Sequence, residues 1–268
     1  MNLIESIMTK NPCYTAGRKI TVKGLMLHSV GCPQPKAQVF IKNWNRSDYK
    51  NACVHGFIDG TDGTVYQTLP WDRRGWHCAS GKKGSGNNTH IGVEMCEPAT
   101  IKYTGGSTFT DSNPAKTKEV VLRTYQSAVE LFAMLCQRYG LDPLQDGVVI
   151  SHKEGCARGI ASNHGDPEHL WSKFGLTMDG FRKDVKAAMG GTVTAKPTTP
   201  ADSPTTSLPR LVKVTATALN VRSGPGTSYK VNMTIRDQGT YTIVEEQGGW
   251  GRLKSGTGWI SLAYTKNV

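Results

Sequence analysis

The sequence holds no run of eighteen or more apolar residues, which excludes an apolar membrane-spanning helix. It has no C-x-x-C pair and no H-E-x-x-H spacing, so the commonest short metal signatures are missing. It has no Arg-rich helix and no block of five basic residues, which speaks against a nucleic-acid partner. Residues Met1 to Lys10 lack a basic segment followed by an apolar core. The expectation is therefore a chain made in the cytosol without a signal peptide. Its seven cysteines are an odd number, scattered from Cys13 to Cys156, which argues for reduced thiols rather than a disulfide framework.

What is present is an ordinary globular composition, 37% hydrophobic and 20% charged over 268 residues. That length allows one large domain or two smaller ones. The formal net charge is +11. Such an excess suits an anionic partner, whether nucleic acid, a membrane surface or an anionic cell-wall polymer, and the spread of the basic residues weakens the nucleic-acid case.

The stretch from Val149 to Trp171 concentrates chemistry, with His152, His164, Asp166 and His169. The apolar run Gly147 to Ile150 leads into it as a short buried strand, and the Gly, Ser and Asn that follow read as a loop. Earlier, Gly24 to Val30 is an apolar strand that carries His28, and His90 to Cys96 is another that carries Glu94. Val54 to Gln67 reads as a hairpin around Asp62-Gly63. Lys36 to Asn45 and Lys116 to Tyr139 have helical spacing, with Gly140 past the end of the second, and Met178 to Met189 gives a last helix. Residues 1 to 23 read as a lead-in and 98 to 115 as a loop. Strands interleaved with helices predict an α/β domain over residues 1–189, a mixed central sheet flanked by helices. Residues 190–209, rich in Thr, Pro and Ser, read as a linker. Residues 210–268 hold short strands between Gly-rich turns and predict a small all-β barrel.

Two histidines and one carboxylate are a common catalytic zinc set that leaves a fourth position open. His28, His152 and Asp166 are candidates for it, with His169 competing for the place of Asp166. Glu94, a lone carboxylate in an apolar strand, is a candidate general base because burial raises its pKa.

The segments Met26-Leu-His-Ser, Val54-His-Gly-Phe-Ile-Asp-Gly-Thr-Asp-Gly-Thr-Val-Tyr-Gln, Gly75-Trp-His-Cys-Ala, Asn88-Thr-His-Ile-Gly-Val-Glu-Met, Ile150-Ser-His and His164-Gly-Asp-Pro resemble the zinc-dependent N-acetylmuramoyl-L-alanine amidases of the type 2 family. That family also includes phage lysozymes and peptidoglycan recognition proteins. The resemblance covers roughly residues 20–185. Leu219-Asn-Val-Arg-Ser-Gly-Pro-Gly with Gly249-Trp-Gly-Arg-Leu and Gly258-Trp-Ile resembles bacterial SH3 (SH3b) wall-binding domains.

The resemblance implies that His28, His152 and Asp166 bind zinc and that Glu94 activates water. His164 stands where the family usually has lysine. An imidazole there could still stabilise an oxyanion, but imidazoles titrate near neutrality and lysines do not. Val54 stands where some members have a catalytic tyrosine, which leaves the base role to Glu94. His77, with Trp76 beside it, matches the substrate cleft, and His55 is expected to be structural. The implied activity is cleavage of peptidoglycan between N-acetylmuramic acid and L-alanine, in an endolysin or autolysin that reaches the wall after lysis. Two other readings stand beside it. One is a catalytically dead recognition protein. The other is a wall cysteine peptidase using Cys32 or Cys53, which would need a thiol activated by a histidine.

Overall fold

The structure, a computed structural model, describes residues 1–190, 208–225, 229–247 and 250–267. The chain divides into two compact units, Met1–Ala195 and Lys196–Val268. Most of the expected linker, residues 191–207, lies outside the described residues.

In chain order the first unit contains β1 (Leu3–Glu5), α1 (Pro12–Thr15), β2 (Gly24–Ser29), α2 (Ala37–Trp44), β3 (Gly56–Ile58), β4 (Val65–Gln67), β5 (His90–Met95), β6 (Ile101–Gly105), β7 (Thr108–Asp111), α3 (Pro114–Tyr139), β8 (Val149–Ser151), α4 (His152–Ala157), α5 (Glu168–Trp171) and α6 (Met178–Gly190). Six strands form a mixed sheet in the order β1-β4-β3-β5-β2-β8. Only the β3–β4 hairpin is antiparallel; β1 with β4, β3 with β5, and β2 with β5 and β8 are parallel.

Alternation along the central strands sorts their side chains to two faces. Leu25, Leu27, Ile91, Val93, Met95 and Val149 face one core, shared with Val121, Ala128 and Phe132 of α3 and Phe181 of α6. Met26 and Ile150 pack on the other side with Cys78 and Ala161. His28 and Glu94 follow the parity of Met26 and Gly92, so they lie on this second face. The site is therefore built on the side of the sheet opposite the long helix. α3 itself is bounded by an Asn113 cap, Pro114 in its first turn and a left-handed Gly140 at φ 64°.

Three sequence readings need correction. The lead-in contains β1, which adds an edge strand to the sheet through Leu3–Val65, Ile4–Tyr66 and Glu5–Gln67 pairing. The expected loop at 98–115 contains the β6–β7 hairpin, anchored by buried Ile101 and Phe109 and turned by Gly105 and Gly106 at positive φ. The segment after Ser151 begins with a helix rather than a loop. Ser151 caps α4 in a reciprocal box: its Oγ accepts from Glu154 N–H at 3.0 Å and Glu154 Oε2 accepts from Ser151 N–H at 3.1 Å. Arg182 of α6 clamps the same carboxylate at 2.9 and 3.1 Å.

The second unit is all-β. Strands β9 (Arg210–Val214), β10 (Leu219–Arg222), β11 (Val231–Ile235), β12 (Thr240–Gln247), β13 (Trp250–Leu253), β14 (Trp259–Ser261) and β15 (Thr265–Asn267) form one antiparallel sheet, in the order β11-β10-β14-β13-β12-β9-β15. Its core is Val212, Val214, Leu219, Val221, Ile235, Ile243, Leu253 and Ile260.

Candidate metal centre and hydrolytic cleft

Strand register places the site. β2 and β5 pair so that His28 stands directly beside Glu94. β2 and β8 pair so that Leu27 stands beside Ser151, which brings His152, the first residue of α4, level with His28. All three residues thus meet at the carboxyl ends of parallel strands, where open α/β sheets present their ligand crevice. Asp166 reaches the same point from the loop before α5. Ligand atoms of His28, His152 and Asp166 lie within 4.8 Å of one another, and all three residues are buried. Nδ1 of His28 is 3.0 Å from Nδ1 of His152 and 3.3 Å from Asp166 Oδ2; Nδ1 of His152 is 3.6 Å from Asp166 Oδ1.

Hydrogen bonding fixes which nitrogen of His28 is bare. Nε2 of His77 faces the carbonyl of His90 at 3.1 Å, and a carbonyl only accepts, so this Nε2 carries the proton. Burial, followed by the charge of His28, holds the pKa of His77 well below the usual imidazole range, so its ring stays neutral. Its Nδ1 is then an acceptor, and Nε2 of His28 donates to it at 3.0 Å. With the relay proton on Nε2, Nδ1 is the His28 nitrogen that faces His152 and Asp166. Burial, followed by the charge of His28, lowers His152 to about 4, so its ring is neutral at physiological pH. A buried set of two imidazoles and one carboxylate with converging nitrogen and oxygen atoms fits a divalent cation such as zinc.

Gly92 makes room for this relay, because a Cβ there would run into the ring of His77. His77 is therefore more than a cleft-lining residue: it holds His28 in place. On the other side, Nε2 of His152 meets Ser162 Oγ at 3.2 Å, and Ser162 Oγ meets Nδ1 of His164 at 3.0 Å. His164 is exposed at the cleft and its ring lies 4.6 Å from that of His152.

The cleft encloses about 820 Å3 and is lined by Glu94, His152, His164, Asp166, His77 and Trp76, among others. Trp76 is 43% exposed, a large aromatic surface at the rim. Glu94 has a buried Oε2 with no partner among the described residues. Burial raises its pKa well above the ordinary glutamate value, and the charges of Asp166 and Glu97 add to that. His55 lies away from this chemistry in its hydrogen bonding: Nε2 donates to the Arg73 carbonyl at 2.7 Å and Nδ1 accepts from Gly92 N–H at 3.0 Å.

His169, the competing ligand in the sequence, is held elsewhere. Its Nε2 is 2.6 Å from the Tyr103 hydroxyl, which donates to Glu97 Oε2 at 2.8 Å. Glu97 also accepts from Ser29 Oγ at 2.7 Å and Gly31 N–H at 3.2 Å. Sequence reasoning missed Glu97, Tyr103 and Ser162. The alternation Ile101-x-Tyr103 before Gly105-Gly106 marks the hairpin that carries Tyr103, and Ser151-x-x-Glu154 marks the helix start at His152.

All seven cysteines are free. Burial pushes the Cys32 thiol up; a hydrogen bond with Cys13 and then burial push Cys53 up. An activated nucleophile needs the opposite shift.

Comparison with known proteins places both units among described families. The bacterial SH3 domain profile matches residues 217–266. Over 80 residues, 30% of this chain, the sequence is 38% identical to the N-acetylmuramoyl-L-alanine amidase CwlH of Bacillus subtilis and 47% identical to the amidase XlyA of the same organism. These alignments span 30% and 25% of the two relatives' own lengths. In fold, the chain is similar to the Staphylococcus aureus hydrolase AmiA, solved with its ligand, at a TM-score of 0.50 and 22% identity, covering 70% of this chain and 83% of that one. The N-acetylmuramoyl-L-alanine amidase profile matches residues 17–169, a span that holds His28, Glu94, His152 and Asp166 and is more than half of the sequence. The chain belongs to the N-acetylmuramoyl-L-alanine amidase family.

Proposed function

We propose that the chain is a zinc-dependent peptidoglycan hydrolase that cleaves the amide between N-acetylmuramic acid and L-alanine, with its C-terminal SH3-like unit holding it to the wall. The observation that carries this reading is the convergence of His28, His152 and Asp166 in one open cleft beside Glu94, whose buried Oε2 has no partner among the described residues. His28, His152 and Asp166 would hold the zinc ion. When bound, zinc supplies Lewis acidity for water and for an amide carbonyl, and its charge offsets the crowded carboxylates.

The remaining work falls to the chain's own side chains. Glu94 takes a proton from the attacking water, and its raised pKa suits both that step and return of the proton to the departing L-alanine amine. The Ser162 hydroxyl can donate to Nδ1 of His164, which keeps the His164 proton on Nε2. From the rim of the cleft that N–H donates to the developing oxyanion, at the position where the family usually has lysine. His77 keeps the proton of His28 on Nε2, away from Asp166. Trp76 offers its exposed face to the substrate.

No helix among the described residues is long and apolar enough to cross a membrane. The SH3 match supports an endolysin-like protein acting on the wall after release. The test is metal analysis of the full chain with amine release from purified walls. Stoichiometric zinc and new L-alanine amino termini, both lost on chelation and restored by zinc, are expected. Lysis insensitive to chelator but blocked by a thiol reagent would overturn the reading in favour of a cysteine peptidase.

A further inference from the structure

A second hollow of about 250 Å3 adjoins the cleft, sharing Ala52 and Trp76 with it. Its wall includes Cys13, Arg18, Tyr49, Lys50 and Arg74, three of them cationic, and no Asp or Glu lines it. Two loops bring the arginines together: Arg74 N–H donates to the Arg18 carbonyl at 2.8 Å, beside a bridge between Lys19 and Arg73. Arg74 is held rigidly, with Nε donating to Asn88 Oδ1 at 2.7 Å and its guanidinium 5.4 Å from the centroid of a Trp76 ring. Arg18 and Lys50 form no ion pair among the described residues, although Lys19 next to Arg18 pairs with Asp72. Like charges are thus gathered without a counter-ion. Burial and the nearby charge of Arg18 both push Arg74 below the ordinary guanidinium value; the Cys13 thiol is lowered first by its hydrogen bond with Cys53, and the two arginines add to that. Folding gains nothing from such repulsion, whereas an arriving anion relieves it.

We propose that this hollow is an anion subsite for a carboxylate of the stem peptide, with Arg18 and Lys50 as specificity-determining residues and Arg74 as a fixed platform against Trp76. The proposal rests on the amidase reading above. In such a substrate the N-acetylated glycan is uncharged, while free carboxylates sit on the peptide. The charge therefore sets the polarity of binding. The peptide leaves the scissile amide past Trp76 toward Arg18, and the glycan takes the remaining length of the cleft. Shared contact with Trp76 and Ala52 makes one continuous track from the metal centre to the cations.

The test compares two soluble muramyl tripeptides that differ only in having free carboxylates or carboxamides on the peptide. The full chain is assayed as wild type, Arg18→Ala, and Arg18→Ala with Lys50→Ala. Wild type should favour the carboxylate form by about tenfold in kcat/KM, chiefly through KM, and the double variant should bring that ratio close to one. A ratio unchanged in the variants, or an equal loss on both substrates, overturns the subsite. A third arm adds soluble poly(glycerol phosphate). Competitive inhibition of wild type that disappears in the double variant, without any carboxylate preference, would assign the hollow to wall phosphate and overturn the peptide assignment. If wild type cleaves neither tripeptide while its zinc is intact, the amidase reading itself fails, an outcome distinct from failure of the subsite alone.

Discussion

His28, His152 and Asp166 form one histidine–carboxylate cluster at this cleft, and Glu97, Tyr103 and His169 form another. The first is buried, the second is buried at Glu97 and half-buried at Tyr103 and His169, and both draw on residues far apart in sequence. They differ in where their protons go. In the second cluster a tyrosine hydroxyl sits between carboxylate and imidazole, donating to Glu97 and accepting from His169, while His169 Nδ1 has no partner among the described residues. In the first no hydroxyl intervenes, and the His77 relay turns Nδ1 of His28 toward His152 and Asp166. A hydroxyl bridge between carboxylate and imidazole stabilises a fold; converging acceptors invite a cation. The same residue types therefore do different jobs because of one tautomer and one interposed hydroxyl.

The largest test of that contrast is Asp166→Ala against His169→Ala. The first should lose bound zinc and drop wall lysis to background, while the second should retain stoichiometric zinc in metal analysis. Loss of metal in both would erase the distinction. Next comes Glu94→Gln, which should keep zinc yet lower kcat by about 10²- to 10⁴-fold, the usual range for a removed general base. Normal turnover in that variant would remove Glu94 from the chemistry.

His77→Phe probes the relay itself. It removes the acceptor for His28 Nε2–H and should weaken zinc binding about 10- to 100-fold in chelator competition, as loss of an outer partner does. Gly92→Ala should act in the same direction by displacing the His77 ring. Smallest is Tyr103→Phe, which strands Glu97 Oε2 and His169 Nε2–H. It should cost about 1–3 kcal/mol in denaturant unfolding with zinc content unchanged. A loss of zinc there would show that the two clusters are coupled rather than separate.

Much of this was legible in the chain. The apolar strands ending near His28, Glu94 and His152, the α3 periodicity with its Gly140 stop, and the all-β character of the last sixty residues follow from local pattern alone. The β6–β7 hairpin was hidden because its polar alternation looks like a loop until Ile101 and Phe109 find the core. The helix at His152 was hidden by the Gly, Ser and Asn that follow it, though its capping box was present in the letters.

The sequence by itself determined the candidate ligand types, the strands that end near His28, Glu94 and His152, and the family to which those ordered motifs belong. Tertiary structure decided which histidines converge. Parallel register sets His28 level with Glu94 and His152, and the His90 carbonyl, acting through His77, chooses the bare nitrogen of His28. It also gathered Arg18, Lys50 and Arg74 around one hollow. Proximity across tens of residues and the direction of a proton arise only when backbones pair, since local propensity carries no information about either.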